Sequence, residues 1–242
     1  MNHTLLNARF AKKSIVILVF SFLITSIYAQ SFYFAPKIGP TLGLQQWNNF
    51  DRDPLIASHA ALMIESPDPE DEGSLYAQLG YHLRGSSIFT RNINSFNIQR
   101  NAIKFRNLSL QLGAKRKLEK KAKHSPYYHF GVRVEYTISD NLDIYEQRNI
   151  NFPIYPFTQF VNKINYGANI GGGWEWKADK FLIPFIEINI APDFSLQYEQ
   201  PAISNVPHPT LGVTTLRERK IRNITFEISF GMKFFREVVY ID

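Results

Sequence analysis

The most constraining feature of the sequence is a strict alternation in residues 223–235, NITFEISFGMKFF. Large apolar side chains occupy every second position from Ile224 to Phe234, and polar or small residues lie between them. Successive side chains of a β-strand point to opposite faces, so this segment would have one apolar and one polar face. Its 13 residues exceed the roughly five or six that are usual in soluble domains and suffice for a tilted membrane crossing, which needs about 9–11. The pattern therefore predicts the closing strand of a membrane β-barrel.

Residues 1–29 have the features of a cleaved secretory signal peptide. Three basic residues precede an apolar run at 14–24, and Ala29 precedes the expected cleavage site. The alternative is an uncleaved anchor, but the 16 residues from Ser14 to Ala29 are fewer than the roughly 20 that a spanning helix requires. The mature chain, 30–242, has no other comparably long apolar stretch. A mature chain that lies in a membrane is therefore expected to be a barrel.

Charge and cysteine content exclude several functional classes. The formal net charge of the whole chain is +6, and 24 basic and 21 acidic residues remain after removal of the signal peptide. Export and this near-balanced charge argue against nucleic acid as a partner. The absence of cysteine excludes disulfides, thiolate metal sites and a lipid anchor on an N-terminal cysteine.

Seven further segments have the length or alternation of a crossing strand, and the aromatic content of 14% suits the girdles of membrane barrels. The eight predicted strands are 34–47, 56–66, 74–84, 102–115, 128–139, 162–177, 181–198 and 223–235. Eight is the smallest common strand number for a membrane barrel. We therefore predict an all-β fold, an eight-stranded antiparallel transmembrane up-and-down β-barrel occupying 30–242. A soluble β-sandwich is the alternative.

The connections between these strands alternate in length. The compact ones are 67–73, 116–125 and 178–180, and the long ones are 85–101, 140–161 and 200–219. Outer-membrane barrels have short periplasmic turns and longer external loops. The alternation favours a barrel over a sandwich and predicts that both termini are periplasmic.

Several charged residues fall on the predicted inner face of the barrel. They are Arg84, Arg133, Glu135, Glu175, Lys177, Glu187, Glu227 and Lys233. The interior of an eight-stranded barrel is just wide enough for side chains to fill it, and buried charges must pair. We expect a plug of salt bridges that closes the lumen; a lumenal site or a conducting pore is the alternative.

The sequence does not indicate a catalytic or metal site. It contains no G-x-S-x-G elbow, H-E-x-x-H motif or EF-hand loop. The mature chain has five histidines, His59, His82, His124, His129 and His208, and the sequence couples none of them to a serine and an acid. The sequence also has two charged turns, and the ordinary interpretation of both is a solvated loop. The alternative for the acidic turn at 67–73 is binding of a divalent ion, and the alternative for the basic turn at 116–125 is binding of anionic lipid or nucleic acid. We predict no enzyme activity, no cofactor and no catalytic, cofactor-binding or metal-binding residues.

The sequence resembles a broad family of outer-membrane β-barrel proteins of the Bacteroidota, called porin family or PorT-like. The resemblance rests on the signal ending TSIYAQ, the opening strand KIGPTLGLQQW and the closing strand ITFEISFGMKFF. A departure is the seven-residue tail at 236–242, because such barrels often end on an aromatic residue. PorT-like members are associated with protein secretion and gliding, and the name porin implies transport.

These observations lead to one functional prediction with two alternatives. We expect a non-enzymatic integral outer-membrane protein, a structural or accessory component of a PorT-like (type IX) protein-secretion apparatus, with loops 140–161 and 200–219 making the protein contacts. Outer-membrane lipids and lipopolysaccharide are the other expected partners. The alternatives are a narrow porin-like transport channel and a lipid-modifying outer-membrane enzyme.

Overall fold

The structure, a computed structural model, describes most of the chain after the predicted signal peptide. The described residues are 31–48, 52–66, 73–91, 98–119, 123–147, 156–177, 181–208 and 212–237. The signal peptide at 1–29 and nearly all of the acidic turn at 67–73 lie outside them.

Eight long strands form one closed antiparallel sheet. They are β1 (Phe32–Trp47), β2 (Asp53–Glu65), β3 (Gly73–Arg91), β4 (Ile98–Lys117), β5 (His124–Asp140), β6 (Ile164–Trp176), β7 (Leu182–Pro192) and β11 (Arg219–Arg236). Each long strand pairs with the next one along the chain, and β11 also pairs with β1, from Phe32↔Arg236 to Trp47↔Ile221. The predicted eight-stranded up-and-down barrel is therefore confirmed.

The remaining elements lie near one end of the barrel. The short strand β8 (Tyr198–Gln200) extends the sheet beside the start of β11, and β9 (Ile203–His208) pairs with β10 (Gly212–Leu216) in a separate two-stranded sheet. Between β5 and β6 lie a one-turn helix, α1 (Asp143–Glu146), and a 3₁₀ turn (Thr158–Phe160). Among the residues that the structure describes, no helix is long and apolar enough to cross a membrane.

We call the end of the barrel that carries these extra elements the loop end, and the opposite end the turn end. The β2–β3, β4–β5 and β6–β7 connections are at the turn end, as are the first residue of β1 and the last residue of β11. The β1–β2, β3–β4, β5–β6 and β7–β11 connections are at the loop end, and the last two of these are the longest connections in the barrel.

Two predicted loops contain much more regular structure than the sequence indicated. In the segment predicted as loop 85–101, β3 continues to Arg91 and β4 begins at Ile98, with unbroken pairing from Gly85↔Lys104 to Arg91↔Ile98. The predicted loop 200–219 contains the β9–β10 hairpin. Both segments are polar or proline-rich, and main-chain hydrogen bonds hold a ladder together without any alternation of apolar residues. The alternation of apolar and polar residues that identifies the other strands is therefore absent from both segments.

The outer face of the barrel is an apolar belt. On β5 the exposed side chains are those at alternate positions, Tyr128, Phe130, Val132, Val134, Tyr136 and Ile138. Tyr128 and Tyr136 are eight residues apart, or about 27 Å along a strand. At the strand tilt of about 35–45° in such barrels this is roughly 20 Å along the membrane normal, so both tyrosines lie near the edges of the roughly 25 Å apolar band, where aromatic residues form girdles.

Candidate functional site

The lumen is the most highly organised polar region of the molecule. Alternate residues of each long strand point inward, and glycine provides space where the interior is crowded. Gly113 and Gly131 face each other across β4 and β5, and a Cβ added to Gly113 would come within 2.5 Å of the Tyr76 ring. Tyr76 therefore fills volume that larger residues on β4 and β5 would occupy.

At the turn end, two lysines and two glutamates form a closed ring of charge. This turn-end layer consists of Glu65, Lys115, Glu175 and Lys233, which come from the second, fourth, sixth and last strands of the barrel. Lys233 Nζ contacts Glu65 and lies 2.5 Å from Glu175 Oε1. Lys115 Nζ contacts Glu175 and lies 3.5 Å from Glu65 Oε2. Each buried charge thus has two opposite neighbours, which offsets the cost of removing it from water.

The middle layer is built on the other four strands around one carboxylate. Lys37 Nζ lies 2.5 Å from Glu187 Oε1, and the Tyr127 hydroxyl donates to Glu187 Oε2 at 3.1 Å. His129 Nε2 is 3.7 Å from Glu187, and its Nδ1 is 3.1 Å from the Tyr76 hydroxyl. Glu187 therefore connects β1 and β5 to β7 across the lumen.

Towards the loop end, two arginines and three carboxylates form the third layer. The Arg84 guanidinium, from which solvent is excluded, lies 2.7 Å from Glu135 Oε1 and 3.8 Å from Glu227 Oε1. Arg133 Nε lies 2.9 Å from Glu135 and its terminal nitrogen contacts Asp193. Amide groups satisfy other carboxylate oxygens: Asn107 donates to Glu135 and Asn223 to Asp193, both at 2.9 Å. His82 Nδ1 is 2.7 Å from Glu227 Oε1. The result is a cross-linked network, because each arginine contacts two acids.

An apolar cap lies above this network at the loop end. Its buried members are Ile103, Phe105, Leu142, Tyr145, Val161, Tyr198 and Ile221. The β5–β6 connection, predicted as the surface loop 140–161, supplies three of them. Burial raises the pKa of the Tyr198 phenol to about 12. The neutral hydroxyl donates to Gln200 Oε1 at 2.7 Å and accepts from the backbone N–H of Phe157 at 3.0 Å. This connection therefore packs into the mouth of the barrel as well as over its surface.

Seven of the eight charges predicted to face inward lie buried in the lumen, and Lys177 is the exception. Lys177 follows the last residue of β6 and is half-buried. Sequence reasoning missed four members of the network: Lys37, Glu65, Lys115 and Asp193. Lys115 lies at alternate spacing from Gln111 and Gly113, which indicates an inward side chain, but it is the last residue of the predicted strand 102–115 and adjoins the basic turn.

The histidines divide between the lumen and the ends of the strands. His59, His82 and His129 are buried in the lumen, whereas His124 is exposed at the start of β5. His59 Nε2 lies 2.9 Å from Ser229 Oγ, and its Nδ1 has no hydrogen-bond partner among the described residues. Within that part of the chain, no group of three or more His, Cys, Asp or Glu side chains is placed to hold a metal ion.

A closed antiparallel barrel with an apolar belt outside and paired charges inside defines an integral outer-membrane β-barrel protein. Comparison with known families agrees with this class. The chain belongs to the family described as "Outer membrane protein beta-barrel domain", whose model matches residues 60–198, more than half of the 242 residues.

Solved structures of similar shape are distant in sequence. The outer membrane protein OprG of Pseudomonas aeruginosa is 11% identical with a TM-score of 0.50, over 85% of this chain and 96% of that chain. Neisserial surface protein A is 8% identical with a TM-score of 0.49, over 84% and 96% respectively. The outer membrane protease OmpT of Escherichia coli is 8% identical with a TM-score of 0.40, over 85% and 97%. At such low sequence identity, the similarity to these proteins is one of fold alone. Comparison with curated protein sequences finds no match.

Proposed function

We propose that this chain is a non-enzymatic, non-conducting outer-membrane component that acts through protein contacts at its loop end. The filled lumen carries the proposal. Three successive layers of paired charges occupy the cross-section, and the apolar cap lies over them. An ion crossing the lumen would have to separate pairs such as Arg84–Glu135, whose charges are buried and therefore costly to leave uncompensated.

Single-channel recording tests this closure and the alternative of a narrow porin-like channel. Purified protein inserted in a planar bilayer is expected to give no conductance steps. Insertion is checked in the same sample by the different gel mobility of folded and heated barrel. Regular conductance steps from correctly folded protein would support the porin-like channel and overturn the proposal.

The loop end is proposed to face outward, with both termini periplasmic. The extended β3–β4 hairpin, the β5–β6 connection and the β9–β10 hairpin all lie at that end, whereas the turn-end connections are short, as in other outer-membrane barrels. In this orientation the apolar belt contacts outer-membrane lipids, and lipopolysaccharide surrounds the loop end.

The β9–β10 hairpin is the most suitable docking element at the loop end. It forms a two-stranded sheet apart from the barrel, and none of its side chains that the structure describes is fully buried. An isolated two-stranded hairpin is marginally stable in water, so a partner that packs on it would stabilise it. Val213, which is 62% exposed, is an apolar residue on this hairpin.

Site-specific photocrosslinking tests the docking assignment. A photoreactive residue at Val213 is expected to give one discrete protein adduct in intact cells. The matched position is Leu118, which is equally exposed at the turn end and is expected not to give that adduct. The same adduct from both positions, or from neither, would overturn the assignment of contacts to the loop end.

The PorT-like resemblance favours a protein-secretion (type IX) apparatus as the assembly in which this protein serves. Replacing residues 203–216 by a short Gly-Ser linker is expected to reduce export of the secreted proteins. The amount of folded barrel in the outer membrane should stay the same, because the hairpin is separate from the barrel sheet. Unchanged export from cells with the shortened protein would rule out this role.

The arrangement of Ser229 and His59 supports the non-enzymatic proposal. A serine nucleophile needs a base that a third group orients. His59 contacts Ser229, but its Nδ1 lacks such a partner within the described chain, and the nearby Glu227 pairs with His82 instead. Both Ser229 and His59 are buried in the packed lumen. Lipid mass spectrometry of membranes with and without the protein is expected to show no difference; a new lipid species that disappears on Ser229→Ala would establish a lipid-modifying enzyme.

A further inference from the structure

The lipid-facing wall of the barrel contains a groove near the turn end. It lies on the outside of β3, β4 and β5 and has a volume of about 420 Å³. Its outward-facing walls are formed by Leu75, Leu112, Ala114, Phe130 and Val132. Both its size and its apolar lining are typical of sites that hold part of a small ligand.

The floor of the groove is preformed. Gly113 and Gly131, which pair across β4 and β5, contribute only backbone to it. On the lumenal side Tyr76 lies behind both glycines: a Cβ on Gly113 would meet its ring, and a Cβ on Gly131 would meet its hydroxyl. The Tyr76 hydroxyl accepts from Gln111 Nε2 at 2.7 Å and lies 3.1 Å from His129 Nδ1. Because these bonds hold the ring from inside, the floor does not depend on a ligand for its shape.

A positive charge lies at one end of the groove. Arg116 follows Ala114 by two residues on the outward face of β4, about 7 Å further towards the turn end. Its side chain is exposed, and it pairs across the sheet with Tyr128, an aromatic residue at the boundary of the belt. Lys117, the next residue, instead points inward and lies 3.6 Å from Glu175. Arg116 thus remains outside, where it can meet a headgroup beside an apolar groove.

We propose that this groove and Arg116 bind one molecule of an anionic glycerophospholipid. An acyl chain lies in the groove between Leu112, Ala114 and Phe130, and the guanidinium of Arg116 binds the phosphate, for which its planar pair of donors is well suited. The shape of the groove and the position of Arg116 do not rest on the proposed function. The choice of phospholipid over lipopolysaccharide rests on the proposed orientation, which puts the turn end in the periplasmic leaflet.

Native mass spectrometry of the full chain in detergent tests the site. The probes are phosphatidylglycerol, phosphatidylcholine with the same acyl chains, and a purified short-chain lipopolysaccharide. Ala114→Phe fills the groove from the outside, and Arg116→Gln removes the charge. The matched controls are Ala60→Phe, on the outward face of β2, and Arg222→Gln, on the outward face of β11 at the loop end.

The expected result is one tightly retained phosphatidylglycerol per chain. Arg116→Gln should weaken its binding about fivefold or more, the effect of losing one basic contact at an anionic membrane surface. Ala114→Phe should also weaken binding, because the added ring occupies the place of the acyl chain. The controls should bind as the unmodified chain does. Equal retention of phosphatidylcholine, an unchanged Arg116→Gln variant, or preferred binding of lipopolysaccharide would each overturn the proposal. Because the assay measures neither conductance nor protein contacts, its failure is distinguishable from failure of the proposed function.

Discussion

Lys37 on the first strand and Glu187 on the seventh meet inside the barrel, with 2.5 Å between Nζ and Oε1, although 150 positions separate them in the chain. Neither strand is the sequence neighbour of the other, so only closure of the sheet brings the two residues together. The contact therefore exists only in the closed barrel, and substitutions of both residues can measure how much it stabilises that barrel.

Lys37→Met is expected to lower the free energy of unfolding by about 3–5 kcal/mol, because it leaves the buried Glu187 carboxylate without its lysine. The double variant Lys37→Met/Glu187→Gln should recover a large part of this loss, since it removes the uncompensated charge. Urea unfolding in lipid vesicles, followed by tryptophan fluorescence, measures both. Additive losses in the double variant would show that the two side chains are not coupled.

The apolar cap can be tested with two residues of similar chemistry. Leu142 is 0% exposed, whereas Ile144, two residues on, is 55% exposed. Leu142→Ala should cost about 2–5 kcal/mol of local stability, because it leaves a cavity in the cap, and Ile144→Ala should have little effect. Amide hydrogen exchange of residues 140–147 measures the difference. Equal exchange rates in the two variants would contradict the assignment of Leu142 to the cap.

The position of the membrane belt predicts a strong difference between two valines of similar exposure. Val132 is 66% exposed at the middle of the outward face of β5, and Val213 is 62% exposed on the β9–β10 hairpin. Val132→Arg should destabilise the protein in a bilayer by about 2–4 kcal/mol, because the charge would enter the hydrocarbon region. Val213→Arg should have almost no effect. In unfolding measurements in vesicles, a similar loss for both variants would argue that Val132 does not face lipid.

The raised pKa of Tyr198 leads us to expect a specific loss of stability at alkaline pH. Its pKa is raised by burial from 10.0 to about 12, so its contribution to stability is fully present below pH 10 and is lost as the pH rises through about 12. The loss should be on the order of 2 kcal/mol. Tyr198→Phe removes this titration, and the cap of the variant should weaken less between pH 10 and 12. Hydrogen exchange of the cap cannot be compared at such pH, so limited proteolysis with an alkaline protease is the suitable measurement.

The spanning part of the fold could be predicted because a membrane imposes alternation on each strand. Side chains such as Val132 and Ile228 must face lipid, and their neighbours Arg133 and Glu227 must not, so the pattern indicates both the strand and the face. The same argument placed seven of the eight charges assigned to the lumen. It failed for Lys177 because β6 ends at Trp176. Side chains alternate between the two faces only within a strand, so the position of Lys177 does not determine its direction.

The loop end could not be predicted in the same way. Residues 85–91 of β3 pair with β4 through main-chain hydrogen bonds, which require no pattern of side chains. Leu142 and Tyr145 are buried in a connection whose sequence has no repeating pattern. Asp193 lies at alternate spacing from Glu187 within the predicted strand 181–198, but the clear apolar alternation ends at 191, and β7 itself ends at Pro192. In each case the information lies in three-dimensional packing between distant segments.

The distribution of the charge layers over the strands has a consequence for assembly. In the turn-end layer, Lys233 belongs to the last strand, and its partners Glu65 and Glu175 belong to the second and sixth. Before β11 joins the sheet, these two carboxylates lack Lys233 and have only Lys115, with Lys117 3.6 Å from Glu175, to balance them. The polar interior of an open sheet would also face hydrocarbon. Partly inserted intermediates are therefore penalised until the last strand arrives. Insertion is expected to be an all-or-none event in which the C-terminal strand closes the sheet and neutralises its interior at the same moment.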